Sequence, residues 1–457
     1  MGDFMKNRLV LGTVLLSAAS FFWFDALAAP ADNADSEKQE KSVKQEDSQN
    51  KPQLIISGAA GVHSSFGSPK NTYYKGNPSA AKKASKDTSM TRFAGGEANI
   101  AFEAKGALEN GLRYGAVIDV DSMKGDTGVD KMYIILAWDN FGTIHFGNVK
   151  GPDAKCVYSG QELIDGTCGV DGTIPNDMDY AAGVISPVHM IGYTSKATKL
   201  VYYSPRIAGF QFAASITPDT KMHGHANKDR HAGSSSNGND LGMFVKNKGE
   251  QKPSGRNNIV LALSHFHNFE NGLSTKVSGV YLMENTRKID VQSNGTAVEV
   301  DDVKLRNARS YHLSATVGYK QFSIGAGFIN NGRSRTPKVV ADNVGNFLSS
   351  ANCNAGRAWN VGAKYEFNEN WAFSTVFHHT QRKVAAGEKT KGNMLTAVVE
   401  YKVCDGLLFF LENDFVSTRS TEEACKRYNS IFSADKDRNA IRKQRCNLIV
   451  LGAKVSF

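Results

Sequence analysis

Four aspartates, Asp119, Asp121, Asp126 and Asp130, crowd one short stretch and are the chain's candidate metal ligands, because hard cations such as calcium favour clustered carboxylate oxygens. The spacing is not that of an EF-hand, since Met123 stands where a third ligand is needed. The pairs His223 and His225, His265 and His267, and His378 and His379 lack a third ligand at set spacing and read as ordinary polar residues. There is no C-x-x-C pair for structural zinc, no H-E-x-x-H helix, no G-x-S-x-G elbow and no phosphate-cradling glycine loop. No lipid-facing Ser–His constellation can be assembled either, so the chain is expected to be no enzyme and to need no cofactor. Whatever it does must come from the shape of its elements and the charges they carry.

Those elements begin after an export signal. Lys6 and Arg8 precede an apolar run from Leu9 to Phe24, and Ala26-Leu27-Ala28 supplies the small residues of a cleavage site, so residues 1–28 read as a signal peptide. Residues 29–52 are dominated by Lys, Glu, Gln, Ser and Asp and read as a flexible periplasmic tail, too poor in apolar residues to repay ordering. No long apolar run follows, which excludes helical membrane spans; any insertion of residues 53–457 must use strands.

Strands are what the pattern gives. Ile449, Leu451, Ala453, Val455 and Phe457 alternate with Val450, Gly452, Lys454 and Ser456, so the first set faces lipid and the second a lumen. The same alternation places Leu112, Tyr114, Ala116, Ile118 and Val120 outward against Arg113, Val117, Asp119 and Asp121. It sets Trp359, Val361, Ala363 and Tyr365 against Asn360, Lys364 and Glu366, and Leu395, Ala397, Val399 and Tyr401 against Thr396, Glu400 and Lys402. A soluble sandwich alternates too, but the connections discriminate. Tight turns such as Glu109-Asn110-Gly111, Asp139-Asn140-Phe141-Gly142 and Glu270-Asn271-Gly272 interleave with long polar stretches at 62–89, 122–130, 149–197, 217–255, 285–307, 331–355, 382–391 and 417–445. Strict short–long alternation predicts an all-β, transmembrane antiparallel up-and-down β-barrel of about 16 strands with both termini on the periplasmic side. At that size side chains alone do not fill the interior, so it holds water. Aromatics near strand ends, among them Trp138, Phe210, Trp359, Trp371 and Phe409, read as interface girdles.

The sequence resembles the Gram-negative general-diffusion outer-membrane porins. The likeness rests on Phe141-Gly142-Thr143-Ile144-His145-Phe146-Gly147-Asn148 before a Gly151-Pro152 loop opening, on Lys199-Leu200-Val201-Tyr202-Tyr203-Ser204-Pro205 leading to Gly209-Phe210-Gln211-Phe212, on Asn110-Gly111-Leu112 and on the terminal Phe457. It implies an outer-membrane protein of a Gram-negative cell, a homotrimer, passing small hydrophilic solutes and ions by passive diffusion, with a weak anion preference from lumenal lysines and arginines. Phe457 would then be the signal read by the outer-membrane assembly machinery.

In that family the third external loop folds inward and opposes its acids to bases on the wall. Here the loop is 149–197, with Asp153, Glu162, Asp165, Asp171, Asp177 and Asp179, and the facing candidates are Arg92, Arg113, Lys131 and Lys199. Opposed charges across a narrow aqueous slot make a transverse field that orders water and favours polar solutes. Simple alternation from Ile100 and Phe102 turns Arg92 outward unless Gly95-Gly96 forms a bulge that resets the register.

Six cysteines follow the export signal, so disulfides are permitted. Cys156 and Cys168 lie in the third loop and Cys425 and Cys446 bracket the last one; these are the candidate pairs, with alternatives among Cys353, Cys425 and Cys446 open. The formal charge of +9 does not point to nucleic acid. Arg419, Lys426, Arg427, Arg438, Arg442, Lys443 and Arg445 crowd one external loop, where they are solvated or meet lipopolysaccharide phosphates in the lipid bilayer. The rival reading is a surface adhesin that uses the barrel to display loops 217–255 and 417–445 to a host.

Overall fold

The computed structural model describes residues 52–67, 69–73, 90–121, 128–166, 184–220, 255–286, 289–293, 296–303, 306–336, 353–385, 388–421 and 441–457. Sixteen long antiparallel strands form one closed sheet. They are β1 (Gln53–Gly67), β2 (Met90–Ala107), β3 (Arg113–Asp121), β4 (Gly128–Trp138), β5 (Gly142–Asn148), β6 (Thr198–Tyr203), β7 (Phe210–Asp219) and β8 (Gly255–Asn268). There follow β9 (Leu273–Thr286), β10 (Ala308–Tyr319), β11 (Phe322–Asn330), β12 (Arg357–Glu366), β13 (Trp371–Ala385), β14 (Glu388–Cys404), β15 (Leu407–Arg419) and β16 (Ile441–Ser456). Each pairs with its sequence neighbour, and β1 closes the ring on β16 from Ala59 opposite Ser456 to Gly67 opposite Leu448. Closure satisfies the backbone groups that an open sheet edge would expose to lipid. One extra short strand, Lys70–Tyr73, extends the sheet beside the far end of β16, and a separate hairpin, Ile289–Ser293 with Thr296–Val303, lies between β9 and β10.

The alternation of side chains is as the sequence predicts. Ile449, Leu451 and Val455 are exposed on the outer face while Leu448 and Val450 are buried on the inner one, and Trp359, Val361 and Tyr365 lie outside while Asn360 and Lys364 lie inside. Trp371 and Tyr401 pack in a tilted pair at one end of the outer face, with ring centroids 4.5 Å apart, and Trp359 packs on Phe377 and His379 towards the other end. Trp371 and His379 share strand β13, and the rise between them corresponds to roughly 20 Å of membrane at the usual tilt, close to the height of an apolar barrel band. No helix among the described residues is long and apolar enough to cross a membrane.

Two expectations need correction. The seventh long loop is largely strand: β13 runs to Ala385 and β14 starts at Glu388, so residues expected in a polar loop continue the hairpin beyond the bilayer. The inner face is also not uniformly wet. Val201, Val260, Val280, Leu282 and Ile329 form an apolar cluster with Val149, Cys156 and Met190 of the third loop, and Ile164 and Val188 of that loop join Val376, Val398, Leu448 and Val450 in a second. The loop supplies the partner surface that lets these inward apolar positions leave water.

Short turns depend on backbone that few residues tolerate. Gly142 sits at φ +87°, and a Cβ there would lie 2.1 Å from the carbonyl oxygen of Tyr203. Gly142→Ala is therefore expected to cost about 1–3 kcal/mol, read as a lower melting midpoint of the detergent-solubilised barrel; an unchanged midpoint would show that the turn relaxes freely.

Candidate functional site

The third loop leaves β5 and turns into the barrel instead of away from it. Its neck is tied first. Asp153, in the single helical turn Pro152–Lys155, is buried and accepts hydrogen bonds from the Thr194 backbone N–H at 3.1 Å and the Thr194 hydroxyl at 3.3 Å. Lys199 at the start of β6 is buried beside it and donates to the Ser195 carbonyl at 2.5 Å, so both ends of the loop are held together.

Beyond the neck the chain lies across the inner wall. The Tyr158 N–H donates to the Ser314 hydroxyl of β10 at 2.8 Å, the Thr316 hydroxyl donates to the Tyr158 carbonyl at 3.0 Å, and the Gly160 N–H donates to the Asn360 side-chain oxygen of β12 at 2.9 Å. Gly160 meets the wall backbone to backbone: a Cβ on Gly160 would fall 2.2 Å from the Gly362 nitrogen, and one on Gly362 would fall 2.5 Å from the Gly160 carbonyl oxygen. Gly325 and Gly327 of β11 line the same slot. A β-sheet normally presents side chains to whatever packs on it; here their absence lets a loop settle directly on the strands.

Past the slot, Gln161 in the 3-10 turn Gly160–Leu163 bonds to His378 of β13 at 2.6 Å. Glu162 acts electrostatically on Lys276 of β9. Lys364 of β12 then holds two carboxylates, Asp165 of the loop at 2.5 Å and Glu400 of β14 at 3.1 Å, while Glu400 accepts the Asp165 N–H at 3.0 Å. The returning arm is fixed by the Ile191 N–H on Asn331, by Ser310 on the Ile191 carbonyl and by Asn258 on the Gly192 carbonyl. At the long-loop mouth Arg335 and Glu284 form a two-pronged pair, Nε to Oε1 at 2.9 Å and Nη2 to Oε2 at 2.8 Å, with side chains 1% and 0% exposed.

Of the predicted constriction residues, Asp153 and Asp165 are brought to the loop's anchoring contacts and Glu162 stands exposed on its inner turn. Lys131 faces inward but is paired with Asp119 at 2.5 Å, both nearly fully buried. Arg113 lies at the short-turn end, bonded to Asp139 at 2.5 Å. The Gly95-Gly96 bulge is present: Gly61 pairs with Glu97 and Val62 with Gly95, so Gly96 is the extra residue and Arg92 comes opposite Ser65, itself buried on the inner face. Asp171, Asp177 and Asp179 lie outside the described residues, as do Cys168 and Cys425, one member of each candidate cysteine pair. Among the aspartates first considered for a metal, Asp119 takes Lys131 and Asp130 takes Lys196; Asp126 lies outside the described residues. Among the described residues no three His, Cys, Asp or Glu side chains gather as a metal site. Sequence reasoning missed Lys364, Glu284, Arg335 and the glycine slot as parts of the site. The alternation had already turned Lys364 and Glu400 inward, but nothing in one dimension linked them to Asp165.

The terminal Phe457 joins the seam, its N–H and carbonyl exchanging hydrogen bonds with Gly58 while its ring, 67% exposed, packs over that glycine.

Comparison with known proteins agrees with this geometry. The barrel is similar to the trimer form of in-vitro-folded OmpT, an outer membrane protein of Vibrio cholerae (TM-score 0.51, 12% identity, 89% of this chain and 99% of that one). It is likewise similar to an anion-selective porin from Comamonas acidovorans (TM-score 0.51, 10% identity, 89% and 100%). At such identities the likeness speaks to fold alone. Among curated sequences, an uncharacterised protein of Rickettsia typhi is 29% identical over 239 residues, and one of Rickettsia conorii 25% identical over 232. The aligned segments cover 48% and 44% of this chain, and the chain spans about half the length of these relatives, 50% and 53%. The family model for Gram-negative porins matches residues 24–421, most of the sequence and nearly all of the barrel, and the chain therefore belongs to the Gram-negative porins of the outer membrane.

Proposed function

We propose that this porin passes small hydrophilic solutes and ions by passive diffusion, with a weak preference for anions, and works as a homotrimer. The observation that carries the reading is the third loop bonded along the inner wall of a closed sixteen-stranded barrel through polar and charged contacts. One loop acid, Asp165, is paired with Lys364 of the wall, which it shares with Glu400. Lys276 and Arg206 keep positive charge on the inner face towards the short turns. One fold neighbour is described as a trimer and another as anion-selective, and both descriptions are consistent with this reading.

Single-channel recording in planar bilayers tests it. Stable ohmic steps with a reversal potential on the anion side are expected in a potassium chloride gradient. Lys276→Glu is expected to lower the anion-to-cation permeability ratio by about twofold or more. Absence of steps would end the channel reading, and a cation-side potential in the unmodified protein would end the anion preference.

A further inference from the structure

One histidine pair in the chain is built so that both rings share a surface. His378 and His379 are adjacent and point to opposite faces of β13, the first to Gln161 inside and the second to Asn393 outside. His265 and His267 stand two apart on β8. Alternation with Leu261 and Leu263, which are exposed, and with Ala262 and Ser264, which are buried, turns both outward. They lie at the short-turn end, just before the turn Glu270-Asn271-Gly272, where Phe210 of β7 pairs with His265 and Thr275 of β9 pairs with His267. His267 is exposed and His265 half-buried, so the pair sits at the edge of the outer face, where the aromatic girdle meets water.

The two imidazoles stand side by side, with centroids 6.3 Å apart and planes 21° from parallel. Each is braced from outside the pair, His265 against Phe210 at 4.4 Å and His267 edge-on to Phe269 at 4.4 Å. A metal–nitrogen bond of about 2.0 Å puts the centroids of two imidazoles on one ion about 4.5 Å apart when they ligate at right angles and about 6.3 Å apart when opposed. The observed spacing is the wide end of that range, so a turn of the rings, with no movement of the strand, lets them share an ion. The Nε2 edge of His265 leans that way: a Cβ on Gly209, one step nearer the rim than Phe210, would lie 2.8 Å from it. Among the described residues no hydrogen bond reaches a ring nitrogen of either histidine. Packing in a girdle asks only for a flat apolar body, which phenylalanine supplies; two imidazoles on one face add a pair of nitrogen donors.

We propose that His265 and His267 form a binding site for a borderline divalent cation on the outer rim of the barrel, with water completing the ion's shell. Neutral imidazole suits zinc, nickel and copper, and copper(II) binds tightest among the divalent first-row ions and accepts tetragonal sets of nitrogen and oxygen. The site lies on the face opposite the lumen and takes no part in conduction. The test is pulsed electron paramagnetic resonance of the full-length, metal-stripped porin in detergent, titrated with copper(II). One ion per chain is expected, carrying the nitrogen modulation of two imidazoles. H265Q and H267Q are each expected to weaken binding about tenfold or more, because the second ligand acts at a high effective concentration once the first is bound. H223Q/H225Q is expected to bind copper as the unmodified chain does. A two-imidazole signal that persists in H265Q/H267Q, or that disappears in H223Q/H225Q, overturns the site. Should the variants at 265 and 267 fail to fold, the unmodified protein still decides: modulation from one imidazole or none is the overturning result. The channel reading depends on neither outcome, since it is judged by conductance alone.

Discussion

Gly362→Leu is expected to replace one stable open level with a broad set of sublevels in single-channel records. The new side chain must occupy the space now held by the Gly160 backbone, whose carbonyl oxygen lies 2.5 Å from where a Cβ would stand. Neither party can yield cheaply. Gly362 is fixed by pairing to Gly325 and Val376 on the strands to either side, and Gly160 is bonded to Asn360. Overpacking of this kind costs about 1–3 kcal/mol, comparable with the few hydrogen bonds that seat the loop at about 1 kcal/mol each. The loop therefore lifts off the wall while the barrel, held by its ladders, stays closed. Asn360→Ala, which removes one hydrogen bond and adds no bulk, is expected to give a milder broadening. A single unchanged level in Gly362→Leu would show that the slot does not hold the loop.

Glu284→Ala is expected to be the most destabilising single change at the long-loop mouth. It strands the buried Arg335 guanidinium, and breaking a buried pair by removing one partner costs about 3–5 kcal/mol. Two further contacts go with it: Glu284 accepts from Asn258 at 3.4 Å and lies against Gly192 of the returning loop arm. The melting midpoint and the urea midpoint of the refolded barrel in vesicles should both fall. Much of the loss should return in Glu284→Ala with Arg335→Met, because an apolar pair needs no compensation. Failure of the double variant to recover would place the cost in lost contacts and not in an unpaired charge.

The sequence reading and the structure divide along a physical line. Period-two alternation, the short–long rhythm of connections and the girdle positions of Trp371 and Trp359 are local properties of a strand crossing a bilayer, so the barrel, its strand number and the facing of Lys364 and Glu400 were all legible in one dimension. A bulge at Gly95-Gly96 entered the sequence reading only as the condition for Arg92 to face inward, and the register does shift there. The site itself was not legible. Asp165 meets Lys364 and Glu400 across 199 and 235 positions of sequence, and Gly160 meets Asn360 across 200. No periodicity reports such contacts, since they arise only once the sheet has closed and a loop is forced back into its interior. The same closure made the inner wall partly apolar: Val201, Leu282 and Val398 can face inward because a loop covers them, and that cover exists only in three dimensions. Local alternation thus determined the cylinder, whereas the contents of its lumen were decided by which distant residues closure brought within reach.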